Sequence, residues 1–208
     1  MANRKLKEYQ NIALIFEDIK DTLNFSDVFG RKNALHIEIG SGKGTFLVNE
    51  ALTSPGVDFL GIEWANKYYR YAVDRIGRKE IENVRLIRTE AASFLANNIA
   101  DESVDCFHIY FPDPWPKRSH HKRRFVCAQN VEQIIRCLKK GGLINIATDH
   151  EEYFQWMKDV FEGFDGKLQP AEFIKPAGAK DNELVGTNYE RKYIKEKRKT
   201  FTLAFKKI

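Results

Sequence analysis

Short runs of alternating or uniformly apolar residues recur along the chain, each followed by a stretch with helical spacing. In Asn33–Gly40 the apolar positions are Leu35, Ile37 and Ile39, the period of a strand that enters a glycine turn. Val57–Glu63, Val84–Arg88, Val104–Phe111 and Leu143–Thr148 read as four further strands. Between and after them, Thr45–Leu52, Ala65–Ile76, Ala91–Ile99, Phe125–Leu138 and Tyr153–Phe161 place apolar residues three and four apart, as helices do. Lys139-Lys140-Gly141-Gly142 is expected to close the fourth of these as a cationic last turn and glycine stop. Ile12, Leu14, Ile15, Phe16, Ile19 and Leu23 predict another helix near the start. Residues 163–186 show no clear period and are expected to be irregular. Thr200–Phe205 reads as a last strand, which after so long an excursion suits an antiparallel addition near one sheet edge. Strand and helix alternate five times without a Pro/Gly/Ser-rich linker, so the expected architecture is a doubly wound α/β sheet with its ligand beyond the carboxyl ends of the strands.

Composition changes this picture little. At 208 residues, 43% apolar and 30% charged, the chain has the length and make-up of one globular domain spanning 1–208, with a polar, basic segment at residues 1–11 expected to be loosely ordered. No apolar run approaches the ~20 residues of a membrane span. Cys106, Cys127 and Cys137 are odd in number and lack CxxC spacing, so neither a disulfide framework nor a metal site is expected, and a reducing cytoplasm is the expected compartment. Charge is informative in its distribution. Residues 117–124 hold Lys117, Arg118, Lys122, Arg123 and Arg124 without an acid: five cations, equal to the net +5 of the whole chain. A charge run is ordinarily a solvated face. This one directly follows a proline-aromatic segment, which points to nucleic acid.

Two stretches carry candidate chemistry. The first is Glu38-Ile39-Gly40-Ser41-Gly42-Lys43-Gly44, between a strand and a helix. Gly40, Gly42 and Gly44 allow positive φ and close approach of a ligand to the backbone. Dinucleotide sites favour G-x-G-x-x-G with a helix N-terminus facing pyrophosphate; here the spacing is G-x-G-x-G and Glu38 stands beside it. A carboxylate there repels a pyrophosphate and suits a cation, so S-adenosylmethionine, with its sulfonium and ammonium, is favoured over NAD. Glu63, at the end of the second strand, stands where such folds keep the acid that holds ribose hydroxyls. Glu90, after the third strand, is placed either to reach the adenine edge or simply to start the next helix.

The second stretch is Tyr110–Phe125, YFPDPWPKRSHHKRRF. Prolines 112, 114 and 116 fix φ at alternate residues and push the residues before them towards extended backbone, leaving Asp113 and Trp115 on a stiff platform at a strand's end. Trp115 is placed to stack on a base or to brace the loop. His120 and His121 lack partner ligands at suitable spacing and are expected to face RNA rather than a metal.

PDPWPKRSHHKRR, together with EIGSGKG, GIE, ATD and the later TNYE, resembles the bacterial tRNA (guanine-N7)-methyltransferases, over most of the chain from the glycine loop onward. The resemblance implies a class I methyltransferase fold, a Rossmann-like, mostly parallel seven-stranded sheet with an antiparallel last strand. It implies S-adenosylmethionine as cosubstrate and tRNA as partner, in a cytoplasmic monomer or homodimer. The family's cosubstrate positions fall on Glu38, Glu63, Glu90 and Asp113, and its catalytic acid on Asp113. Its substrate contacts fall on Lys117, Asp149 and Thr187, Asn188, Tyr189 and Glu190, and its RNA contacts on Ser119, His120, His121, Lys122, Arg123 and Arg124. Glu90 departs from an aspartate common there, and Ser41 and Lys43 vary the loop between its glycines. Taken without the resemblance, Asp149 also suits an N-cap of the following helix. Two other readings stay open on the residues alone: an adenine N-methyltransferase, whose acid-Pro-Pro-aromatic loop Asp113-Pro114-Trp115 only partly matches, and an RNA-binding module without turnover.

Overall fold

The computed structural model describes residues 5–208. Of the basic segment 1–11, residues 1–4 thus lie outside the described part; within the rest, the backbone N–H of Lys7 donates to Asp74 and the Tyr9 ring packs on Gly77. The strands are β1 (Ala13–Leu14), β2 (Ala34–Ile39), β3 (Val57–Ile62), β4 (Val84–Ile87), β5 (Val104–Tyr110), β6 (Leu138–Thr148), β7 (Leu168–Pro170) and β8 (Phe201–Lys207). The α-helices are α1 (Phe25–Phe29), α2 (Thr45–Thr53), α3 (Asn66–Gly77), α4 (Ala91–Asn98), α5 (Ala128–Cys137), α6 (Glu151–Glu162) and α7 (Asn188–Lys195).

The strands form one sheet in the order β1-β4-β3-β2-β5-β6-β8-β7. All pairings are parallel except those of β8, which runs against both β6 and β7. Eight strands are present among the described residues, one more than the expected seven, because the two-residue β1 adds to the edge at β4. From β2 the chain winds outward through β3 and β4, then returns to β5 and winds the other way. The order therefore reverses between β2 and β5, which is where an open α/β sheet leaves a crevice at its carboxyl ends.

Alternation assigns the two faces. Leu35, Ile37 and Ile39 of β2 join Phe107, Ile109, Ile144 and Ile146 beneath α4, α5 and α6, whose Phe94, Leu95, Ile134, Ile135, Tyr153, Met157 and Phe161 complete that core. The opposite face packs on α2 and α3 through Phe46, Leu47, Ala51, Ala72, Val73 and Ile76. At Gly61 of β3 the layers meet so closely that a Cβ would stand 2.5 Å from Leu47 Cδ1 and 2.5 Å from Leu86 Cδ2. On this second face the central strands are polar: His36, Glu38, Cys106, His108 and Asn145 are all wholly or largely buried there. Burial drives the His36 imidazole down to about 4, and burial with its His36 neighbour holds His108 well below the ordinary range, so both rings are neutral at physiological pH.

Several elements differ from their sequence expectations. Residues 12–23 form no long helix. Ala13 and Leu14 add to β4, Phe16–Asp18 make a single 3-10 turn, and Phe16 meets Phe94 edge-on, so these apolar residues cover the sheet edge and α4 as extended chain. Helix α5 starts at Ala128, not Phe125, and no glycine stop follows it. Leu138 enters β6 at once, and Lys139 to Gly142 lie within that strand, where three extra residues bulge between the pairs Val104–Leu138 and Cys106–Leu143. Within residues 163–186, Glu50 of α2 accepts from the amides of Ala177 (3.2 Å) and Gly178 (2.9 Å), which ties the irregular segment to the helix layer.

Candidate active site

The glycine loop and the proline loop leave the carboxyl ends of β2 and β5, neighbours at the point of reversal. In the first, φ is +74° at Gly40, +54° at Gly42 and +66° at Gly44. Three left-handed residues at alternate positions curl the chain so that the Gly40 and Ser41 amides both reach Ile62 carbonyl oxygen, at 2.9 and 3.0 Å. A Cβ at Gly40 would meet no atom within 4 Å, so the loop leaves open space on the ligand side. Gly44 differs: its Cβ would stand 3.0 Å from Ala72 Cβ, and its place is packing α2 against α3.

A cavity of about 400 Å³ lies over this loop, lined by Glu38, Gly40, Ser41, Gly42, Lys43, Thr45, Phe46, Tyr68, Arg75, Tyr110, Thr187, Asn188, Tyr189 and Lys192. It unites six of the expected residues: Glu38, Gly40, Gly42, Thr187, Asn188 and Tyr189. Glu38 is 4% exposed, and its Oε2 is buried with no partner among the described residues. Burial, and then the nearby Glu63, push this carboxyl well above its ordinary range. An unpaired buried carboxylate is costly unless a cation or donor completes it, so the site fits the ammonium of an amino-acid-bearing ligand. Glu63 accepts from Gly42 N–H at 2.8 Å and Ala65 N–H at 2.7 Å. It braces the glycine loop while each oxygen keeps lone-pair capacity for a hydroxyl.

Glu90 is the N-cap of α4, accepting from Ala92 N–H at 2.9 Å and Ser93 N–H at 2.7 Å, so the helix-start role is the one its side chain performs. Asp149 does not cap α6. His150 does, through Nδ1 and Tyr153 N–H, and Asp149 instead accepts from Arg198 at 2.8 Å.

The proline loop departs from its expected backbone. Phe111 and Trp115, each followed by proline, sit at φ +52° and +43°, a region that non-glycine residues rarely occupy. Two strained residues thus flank Asp113, which is exposed at the strand's end. What holds them is visible. Phe111 packs edge-on against Tyr193 of α7, with ring centroids 5.4 Å apart. Trp115 carries Arg123 over its face at 5.0 Å and His120 on its edge at 5.9 Å. Arg124 ties the loop to α6: its Nε donates to Pro114 carbonyl oxygen at 2.9 Å, its two terminal nitrogens pair with Glu152 at 3.0 and 2.5 Å, and its guanidinium lies over Tyr153 and Trp156. Arg124 was expected to face RNA; its side chain is 0% exposed, and it is an internal clamp. A guanidinium stacked between aromatic rings and forked onto a carboxylate is held where a solvated lysine would not be. Lys117, Arg118, Ser119, Lys122 and Arg123 remain exposed, while His120 and His121 are partly covered, His121 by Trp156.

Helix α7 closes the site from above. Thr187 caps it through Glu190 N–H, and the Glu190 carboxylate turns inward to collect the amides of Leu184, Val185 and Gly186. At 1% exposure Glu190 shapes the turn before α7, leaving Asn188 and Tyr189 to face the cavity. The Tyr189 phenol is held above its ordinary range by partial burial, then by Tyr68, Asp113 and Glu63 nearby.

Lining residues that the sequence did not mark as site candidates include Thr45 and Phe46 of α2, Tyr68 and Arg75 of α3, Tyr110 of β5, and Lys192 of α7. Lys43 lies between the rings of Tyr68 (5.9 Å) and Tyr71 (5.6 Å). The signal was there as Tyr68, Tyr71 and Arg75, spaced along one side of α3.

Known proteins resemble this chain in sequence and in fold. A family described as "putative methyltransferase" matches residues 32–203. The tRNA (guanine-N(7)-)-methyltransferase of Alkalilimnicola ehrlichii is 35% identical over 188 residues, covering 89% of this chain and 77% of that protein. The protein of the same name from Streptococcus pyogenes is 33% identical over 177 residues, covering 85% and 82%. Some matches are shorter: that from Rhodopirellula baltica is 38% identical over 144 residues but spans only 53% of its relative. Among solved structures, the aminoglycoside resistance methyltransferase NpmB1 superimposes with a TM-score of 0.61 at 14% identity, over 88% of this chain and 92% of that one, a likeness of fold. With the likeness spanning both the glycine loop and the strained proline loop, the chain belongs to the tRNA (guanine-N7)-methyltransferase family.

Proposed function

We propose that this chain transfers a methyl group from S-adenosylmethionine to N7 of a guanine in tRNA, within the variable loop. The observation that carries it is the buried Glu38 carboxyl, its Oε2 without a partner among the described residues, in a cavity that it shares with the glycine loop, Asn188 and Tyr189. When bound, S-adenosylmethionine supplies an electrophilic methyl on a sulfonium. Glu38 holds its cationic end, the glycine loop admits its body against the backbone, and Glu63 receives ribose hydroxyls. Guanine N7 carries a lone pair and no proton, so no general base is required. Asp113 orients the purine by accepting from its imino and amino hydrogens, and it offsets the positive charge that grows on the ring. Asn188 and Tyr189 cover the base, and Asp149, held by Arg198, is a further substrate contact. Lys117, Arg118, Lys122 and Arg123 provide a cationic approach for the phosphates, and recognition rests on RNA shape.

The deciding experiment is transfer of labelled methyl to tRNA from cells lacking N7-methylguanine, with the product nucleoside identified. N7-methylguanosine is expected. A methylated adenosine would move the chain to an adenine methyltransferase, and tight tRNA binding without label would make it a binding module.

Two further outcomes follow. Changing Lys122 and Arg123 together to alanine is expected to weaken tRNA binding and to flatten the slope of log K against log salt by about 1.5, since each neutralised phosphate contributes about 0.7–0.9; a salt titration of binding reads this directly. Glu38→Gln is expected to weaken S-adenosylmethionine binding about 10- to 100-fold in calorimetry. The same change is expected to raise the melting temperature of the ligand-free protein at pH 8. A carboxyl whose folded pKa is raised favours folding fully below its unfolded value of 4.5, and loses that contribution as pH rises through the folded value. The amide never ionises, so the gain grows with pH; an unchanged melting temperature at pH 8 would count against a raised Glu38.

A further inference from the structure

On the polar face of the sheet, beneath the cosubstrate cavity, lies a second cluster that the methyl transfer does not use. Parallel register brings it together: His36 of β2 pairs with Cys106 of β5, and His108 of β5 pairs with Asn145 of β6. All four side chains emerge on the α2 side, where Phe46 packs on the His108 ring at 4.7 Å. One ligand atom each from His36, Cys106 and His108 falls within 4.8 Å of the others.

We propose that His36, His108 and Cys106 bind a single zinc-class divalent ion, with the fourth position open to Asn145 or water. The spacing supports it. His108 Nε2 and His36 Nδ1 stand 3.1 Å apart, and two nitrogens bound to one tetrahedral zinc at about 2.0–2.1 Å are separated by about 3.3 Å. The two rings need only exchange their mutual hydrogen bond for the ion.

The surroundings are those of a ligand set. His108 Nδ1 meets the Tyr110 hydroxyl at 2.8 Å; with that nitrogen as donor, Nε2 keeps its lone pair for a metal. Asn145 Nδ2 donates to Cys106 Sγ at 3.5 Å, the kind of N–H···S contact that supports a bound thiolate, while Asn145 Oδ1 is buried without a partner among the described residues. On binding, the thiol proton leaves to solvent and sulfur's electron pair goes to the metal, with no change of oxidation state. Nitrogen and sulfur donors of this kind select zinc over magnesium or calcium.

An entry path exists. A cavity of about 520 Å³ reaches the cluster, lined by His36, Cys106, His108 and Asn145 and walled by Glu50 and the Ile174–Ala177 segment. Two of its three lining lysines are engaged elsewhere, Lys139 with Asp105 at 2.7 Å and Lys175 with the Lys180 carbonyl oxygen at 2.6 Å, and the third, Lys140, is exposed. The ion would join β2 to β5, the strands that carry the glycine and proline loops.

Chelator-treated full-length protein is titrated with cobalt alone, then with zinc. Expected are one cobalt per chain, a near-ultraviolet thiolate-to-cobalt charge-transfer band, the intense visible bands of four-coordinate cobalt, and their loss on adding zinc. Cys106→Ser is expected to lose the charge-transfer band with circular dichroism unchanged. His36→Gln, at a partly exposed position, is expected to weaken binding more than about 100-fold. Absence of the bands at stoichiometric cobalt on folded wild type, or bands that survive His36→Gln unchanged, would overturn the site. If Cys106→Ser does not fold, those two measurements decide alone.

Discussion

Asp113→Ala is expected to lower methyl transfer to tRNA by a factor of about 10²–10³ while tRNA affinity changes little. The carboxylate is exposed at the end of β5, and no hydrogen bond in the described structure depends on it, so its loss costs little stability. Its proposed part is to meet the two adjacent N–H groups of guanine in one orientation and to face the charge that develops on methylation. Both effects appear in the transition state more than in the binding of a large polyanion, whose affinity comes from phosphate contacts. Asp113→Asn is the sharper variant. Its amide keeps the shape but presents an N–H₂ to donors that need an acceptor, so it is expected to fall nearly as far as alanine. Single-turnover methylation alongside filter binding separates the two quantities. Full turnover in the alanine variant would remove Asp113 from the site, and a parallel loss of affinity would make it a binding residue instead.

The second large effect is expected at Arg124. Arg124→Ala removes a fully buried guanidinium that donates to Pro114, forks onto Glu152 and lies between Tyr153 and Trp156. A loss of about 3 kcal/mol in denaturant unfolding is expected, within the range for breaking a buried pair. Glu152→Ala is expected to cost a similar amount for a different reason: it leaves the buried cation without its anion, whereas the exposed Glu152 tolerates losing Arg124. The two are strongly non-additive, so the double variant should be little worse than either single one. Methylation should fail in Arg124→Ala even below its melting temperature, because Phe111 and Trp115 hold positive φ only while the loop is tied down. Additive losses, or an Arg124→Ala protein with wild-type stability, would show that the clamp does not hold the loop.

The contrast between Arg124 and Arg123 shows where sequence reading stops. Both belong to one basic run, and composition treats them alike. What separates them is a three-dimensional receptor, Glu152, Tyr153 and Trp156, on a helix that begins 27 residues further on. The strands were legible because alternation reports directly on two-sided burial, and Glu38 was legible because a carboxylate beside a glycine turn restricts the ligands that fit. The segment 12–23 misled because helical spacing also arises when an extended chain drapes apolar residues over an edge. The bulge in β6 was hidden because two glycines after a helix look like a stop whether the chain turns away or pairs. Glu190 shows the same limit: its carboxylate is spent on three backbone amides, which no side-chain pattern announces.

The reversed strand has a consequence for the order of synthesis. β7 pairs with β8, and β8 lies between it and β6. A ribosome therefore releases β7 some thirty residues before the strand that gives it a place, counting from Pro170 to Phe201. Until then, the far side of β6 is an open ladder of unpaired amides and carbonyls, the kind of edge that recruits other chains. The glycine and proline loops, at the ends of β2 and β5, emerge well before that edge is covered. A nascent chain stalled just short of residue 201, with α7 already out, would thus carry the candidate site on an adhesive sheet that β8 has yet to cover.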